Sequence, residues 1–196
     1  MLAAARELFV RHPVDRVSMD TIAARAEVSK HTVYDYFGDK RRLLLAILSA
    51  ASESLPATGR RALDEHLPED AQITTVPQLE SALMVLAIDL GTSIVGSADY
   101  AAAFALVAQQ GLQTPSTKGD LATEAAAEDR AERMAHFANV GLLDTDTSRL
   151  AADHLSALTL LLAYMRQPVP ANANAEKVRK TTLDGVHAAI RAYAMR

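Results

Sequence analysis

The sequence has no cysteine and no tryptophan, and only 5% of its 196 residues are aromatic. Without cysteine there is no disulfide framework and no thiolate metal or redox site. Few aromatics, beside 49% hydrophobic residues of which many are alanine, point to packed helices rather than a sheet. Long apolar runs are also lacking: Leu83–Leu90 and Leu155–Met165 are too short, or too interrupted by Asp89, to span a bilayer. Arg6 and Glu7 break the opening Met1–Ala5, so nothing reads as a secretion signal, and a cytoplasmic protein with no membrane partner is expected. The six histidines, at 12, 31, 66, 136, 154 and 187, show no HExxH spacing, and no G-x-S-x-G or phosphate-binding glycine loop occurs. No metal, cofactor or catalytic residue is therefore expected. The acids in Glu124–Glu132 lie three or four residues from Arg130 and Arg133, which solvated helical ion pairs explain.

Positive charge is in overall deficit, the chain carrying −4, yet the deficit is uneven. Residues 1–50 hold eight Lys/Arg against six Asp/Glu, a surplus of two positive charges, which leaves −6 for the remainder. A basic end on an acidic chain suits a polyanion such as duplex DNA, and a dimer would double that footprint.

What is present within that basic end is an ordered passage from Ser18 to Lys40, SMDTIAARAEVSKHTVYDYFGDK. Ile22, Ala23 and Ala26 share one face of a helix that Ser18 can cap, Val28 marks a turn, and Val33 and Phe37 form the inward face of a second helix beginning near Ser29. That spacing turns Lys30, His31, Thr32, Tyr34 and Tyr36 outward. Donors, a cation and phenols then gather at a helix amino end, where unpaired N–H groups and the macrodipole favour a phosphate. The expected DNA contacts are Thr21, Arg25, Ser29, Lys30, His31, Thr32, Tyr34, Tyr36 and Lys40, with His31 and Thr32 near base edges and Lys30, Tyr34, Tyr36 and Lys40 mostly on phosphates.

Leu8-Phe9, Ile22-Ala23, Ala26, Val28-Ser29-Lys30, Thr32-Val33-Tyr34, Tyr36-Phe37, Lys40 and Leu43-Leu44 together resemble the tetracycline-repressor (TetR) family of bacterial regulators over about the first fifty residues. The resemblance implies an all-α homodimer: an N-terminal three-helix helix-turn-helix domain, residues 1–45, joined by a linker helix to a ligand-binding and dimerisation domain, residues 46–196. It also implies a regulator, typically a repressor, released from a palindromic operator by a small, largely apolar effector. Pro13 and Glu27 stand where the family more often has glycine; a left-handed Glu27 would carry about 1 kcal/mol of strain. Family members generally extend ahead of the first helix, whereas this sequence begins inside it, so an N-terminal arm touching DNA is either absent or lies outside this sequence.

Beyond residue 50, helices are predicted from Asp39 past Ser49, around Arg60–His66 after a break at Pro56 or Gly59, and over Gln78–Ile94, Ala98–Gln110, Lys118–Ala138, Asp146–Arg166 and Ala175–Ala194. On the last two, Ala151, Leu155, Leu158, Leu162 and Met165, and Val178, Thr182, Gly185, Ala189 and Tyr193 with Val186 and Ile190 alongside, recur at helical spacing. The stripes fit a four-helix dimer interface in which Gly185 permits close approach; packing within one subunit fits the same periodicity equally well. Met84, Ile88, Phe104, Ala108, Met134, Phe137, Leu161 and Met165 are the expected pocket wall, although core packing explains the same residues, with Asp89, Tyr100, Gln109, His136, Asn139 and His154 as polar anchors. Two other classes stay open: a helical binding or scaffold protein that has lost DNA recognition, which Asp35 and Asp39 near the reading helix allow, and a helical enzyme.

Overall fold

A computed structural model describes residues 1–51, 54–68, 70–95, 97–102, 118–167 and 169–195. Every named element among them is helical, and an isolated bridge joins Leu143 to Ala194. The first four helices are short and sharply punctuated. α1 (Leu2–Arg11) buries Ala4, Ala5, Leu8 and Phe9 and ends where His12 turns extended ahead of Pro13. A 3₁₀ turn, Val14–Arg16, leads to α2 (Met19–Arg25), whose first turn Ser18 caps by accepting the Thr21 N–H at 3.0 Å. α3 (Lys30–Phe37) is capped in the same way by Ser29, from the Thr32 N–H at 3.0 Å, and ends at Gly38 with φ +73°. Asp39 then caps α4 (Lys40–Ala51) by accepting the Arg42 N–H at 2.8 Å.

Phe9, Ile22, Val33, Leu43, Leu44 and Ile47 are fully buried against one another, and each such side chain stabilises the fold by about 1.5–3 kcal/mol. The left-handed Glu27, φ +55°, is thus easily carried by the core beneath it. The same apolar cluster continues into Ala101, Ala102, Ala163 and Tyr164, so the head and body share packing rather than meeting through a bare linker.

The body is built from α5 (Ser54–His66), α6 (Val76–Leu90), α7 (Lys118–Asn139), α8 (Ser148–Ser156), α9 (Leu162–Arg166) and α10 (Ala175–Tyr193). Residues 98–102 are also helical; the rest of the predicted Ala98–Gln110 helix, with Phe104, Ala108 and Gln109, lies outside the described residues. π-helical turns follow α6 (Gly91–Val95) and join α8 to α9 (Ala157–Leu161). Leu63, Leu67, Leu79, Leu83, Phe137 and Val186 form the second core. Thr75 and Gln78 close a reciprocal capping box at the start of α6. Pro56 does not break the chain as predicted: it sits in the first turn of α5, where a missing N–H costs no helical bond.

The second correction concerns the last helix. Val178, Thr182, Gly185 and Ala189 are buried within the subunit. A Cβ added at Gly185 would lie 2.3 Å from the Leu158 carbonyl oxygen, and one at Gly91 would lie 3.1 Å from Thr182 Cγ2. Gly185 therefore admits the backbone of the subunit's own α8–α9 unit, and the intrasubunit alternative describes this stripe.

Candidate nucleic-acid interface and ligand cavity

Two serine caps and one left-handed residue position the helix-turn-helix. Ala26 and Val28 N–H groups return to Ile22 and Ala23 carbonyls at 2.9 and 3.1 Å, with Glu27 between them, and this compact turn sets the start of α3. Val33 and Phe37 anchor α3 inward, and its other face is left to solvent. Thr21, Arg25, Ser29, Lys30, His31, Thr32, Tyr34 and Tyr36 are all exposed, Tyr36 by 74%. Lys30 pairs with Asp20 at 2.8 Å and lies over the Tyr34 ring, 5.6 Å from its centre. His31 faces Asp35 at 3.2 Å, and Arg25 is hydrogen-bonded to Glu7. Each pair is exposed and contributes little to stability, so an incoming phosphate can displace the carboxylate at small cost.

Lys40 is held differently from expectation. Its ammonium donates to the Val14 carbonyl and, at 3.3 Å, to that of Asp15, closing the end of the 3₁₀ turn. Partial burial pushes its pKa down. It acts first as a brace between α4 and the preceding turn, with one of its three N–H donors left over.

Among the described residues, the apolar side chains chosen as a pocket wall do not line one shared cavity. Met134 borders a cavity of about 30 Å³ with Leu63, Leu83, Leu86, Leu90, Leu155 and Thr159. Phe137 instead borders an open groove of about 560 Å³ between α5 and α7, shared with Arg60, Asp64, Arg133 and His136. Met84, Ile88 and Leu161 are partly buried outside both linings, and Met165 is 59% exposed on the surface of α9. The polar anchors scatter too. Asp89 accepts from Arg61 at 2.9 Å and faces His66 at 3.0 Å, Asn139 is exposed at the end of α7, and His154 bonds the Tyr193 hydroxyl. Glu65, His66 and Asp89 place one potential metal-ligand atom each within 4.8 Å of one another, but Arg61 already engages both carboxylates. Tyr100 packs edge-on against Tyr164, ring centres 5.3 Å apart, and burial pushes its hydroxyl pKa up to about 12.

Residues 1–54 match the family model described as bacterial regulatory proteins, tetR family. Residues 1–54 are thus a domain of the TetR type. The matching region is 41% identical over 63 residues to the HTH-type transcriptional activator FasR of Mycolicibacterium smegmatis, covering 32% of this chain and 29% of the relative. It is 41% identical over 54 residues to the DNA-binding transcriptional repressor TetR of Mycobacteroides abscessus, covering 28% of each chain. These alignments thus span under a third of either relative. The whole chain superposes on the crystal structure of a putative TetR-family regulator from Mesorhizobium loti with a TM-score of 0.62 at 22% identity, covering 99% of this chain and 95% of that one. The fold therefore extends across the body as well as the TetR-family head.

Behind the TetR-family head, the residue that sequence reasoning passed over is Arg130. Read as a solvated helix charge, it instead lines the apolar cavity of the body. A signal existed: Ala127, Met134 and Phe137, all buried, stand three, four and seven positions from it and put Arg130 on the inward face of α7.

Proposed function

We propose that the chain is a TetR-like transcriptional regulator, a repressor that binds a palindromic operator as a homodimer and is released by a small, largely apolar effector. The observation that carries this reading is the exposed amino end of α3, capped by Ser29 and surrounded by Lys30, His31, Thr32, Tyr34 and Tyr36. Its free N–H groups, a cation and two phenols suit the phosphates flanking a major groove, while His31 and Thr32 project from the first turn toward base edges. Thr21 and Arg25 on α2 flank the same surface. For the scaffold alternative, Asp39 no longer counts, because it caps α4, while Asp35 stays exposed on α3 beside His31.

Dimerisation is assigned to the outward face of α8–α9, where Leu150 and Met165 are 50% and 59% exposed and Ala157 is exposed between them. Ala192 on α10 is exposed as well, at the far end of the adjoining helix. Two copies joined there would present two reading helices to half-sites one DNA turn apart. Selection of bound sequences from a random duplex library tests the assignment. The wild-type chain is expected to enrich an inverted repeat, and His31→Ala to enrich one altered at the bases it faces. Equal enrichment of all sequences by the wild type would contradict the reading.

A further inference from the structure

We propose that Arg130 makes the cavity of the body a site for an amphipathic monoanion, an apolar chain or ring ending in a single carboxylate. The inference rests on the effector-sensing reading above and names the effector's chemical class. The cavity wall is contributed by α5, α6, α7 and the α8 unit, chiefly as leucine, alanine and methionine, and Arg130 is its one charged residue among the described residues. Burying a guanidinium in such surroundings is costly unless it is paired.

The Nε of Arg130 is buried with no hydrogen-bond partner. Asp153 and Asp129 act on it only at a distance, for they are engaged by Arg149 and Arg60 at 3.3 and 3.1 Å, and Arg149 itself repels it. Burial pushes the Arg130 pKa down from a very high starting value, which leaves a charged, under-satisfied planar donor in an apolar wall. A carboxylate matches that donor through parallel, charge-assisted hydrogen bonds. A monoanion neutralises the site, whereas a phosphate dianion would leave an excess negative charge among leucines. Tyr100 lies within electrostatic reach of Arg130, and burial pushes its hydroxyl pKa up to about 12.

At about 30 Å³ the cavity has the room of a single water, so the ligand's apolar part must part its walls. Two features permit this. Met134 is unbranched and adaptable. The π turn Ala157–Leu161, which supplies Thr159 and Leu160 to the wall, packs on the second π turn, Gly91–Val95, so the helical ladder is already widened on both sides of that contact.

The test is calorimetric titration of the full chain with decanoate, decanol and decyltrimethylammonium, each below its micelle concentration. Decanoate is expected to bind at least about tenfold more tightly than decanol, as one charge-assisted bond allows, and the cation not at all. Arg130→Met should abolish the preference, Arg130→Lys should keep part of it, and ligand-free Arg130→Met should melt no lower than the wild type. A preference that survives Arg130→Met, equal affinity for decanoate and decanol, no binding of either, or a lower melting temperature for Arg130→Met would overturn the proposal. Decanol binding with decanoate excluded would overturn it while leaving an apolar effector in place. Operator affinity of the ligand-free wild type, measured on the same preparation, tests the regulator reading separately.

Discussion

At the residue scale the stability of this chain depends on a few side chains whose neighbours are remote in sequence. Glu27 holds φ +55° in the turn before α3, a conformation that a β-carbon disfavours. Glu27→Gly is expected to stabilise the head by a net of up to about 1 kcal/mol after the added flexibility of the unfolded chain is counted, as read by urea denaturation. Asp89 gives a pH signature. Its burial tends to raise its pKa, but hydrogen bonds from His66, Ser93 and Arg61 together outweigh burial and hold it below the ordinary 3.8. A depressed carboxyl pKa contributes stability that is present above the unfolded value and lost as pH falls through the folded one. Melting curves should therefore show Asp89→Asn less stable than wild type at pH 7, with the gap closing below about pH 3.8; a gap constant with pH would dissociate Asp89 from acid unfolding. The serine caps at 18 and 29 were legible in the sequence because a cap and its N–H partner are three residues apart. The Lys40 brace was not, because its acceptors Val14 and Asp15 lie 26 and 25 residues away and meet it only after α1–α4 have folded.

At the scale of elements, periodicity identified the helices but not what each face meets. A stripe of small residues on α10 fits a partner copy or the subunit's own α8 equally well, and only the three-dimensional path of the chain distinguishes them. The close Leu158 carbonyl decides it for Gly185. Gly185→Ala should consequently lower stability by about 1–3 kcal/mol, the usual cost of overpacking, and do so in monomer and dimer alike. If denaturation midpoints are unchanged and only self-association weakens, the glycine belongs to an intersubunit contact after all. The start of α5 was misplaced for a related reason. Proline was taken as a stop, whereas in a first turn it loses no intrahelical bond. The helix ends at 139 and 166 were close to expectation because Gly141 and Pro168 mark them in the sequence itself, whereas α6 gives way at Leu90, before the expected Ile94, to the π turn Gly91–Val95.

At the scale of the whole molecule, the head and the body are joined by a shared apolar cluster and by a polar clasp. Arg6 on α1 pairs with Asp99 at 2.7 Å and also donates to the Ile47 carbonyl at 3.3 Å, so one side chain touches head, α4 and body. Asp99 is adjacent to Tyr100, which acts on Arg130. A ligand at Arg130 would thus disturb the short helix at 98–102 that holds the clasp. We expect Asp99→Asn to reduce the factor by which effector weakens operator binding, from the roughly 5–150-fold of ordinary allosteric coupling toward unity, while each ligand alone still binds. Paired titrations with and without the second ligand measure that factor, and an unaltered factor would remove the clasp from the pathway.

The central claim is that two α3 helices, carried by one dimer, read successive major grooves. Hydroxyl-radical footprinting on a duplex recovered from the random library tests it most directly, with Leu150→Glu/Met165→Glu as the paired variant. The wild type is predicted to protect two patches on one face of the duplex, about 10–10.5 base pairs apart centre to centre, and the folded monomeric variant to lose both together at the same concentration. A single protected patch, or two patches that persist when the variant is shown to be monomeric, would contradict it.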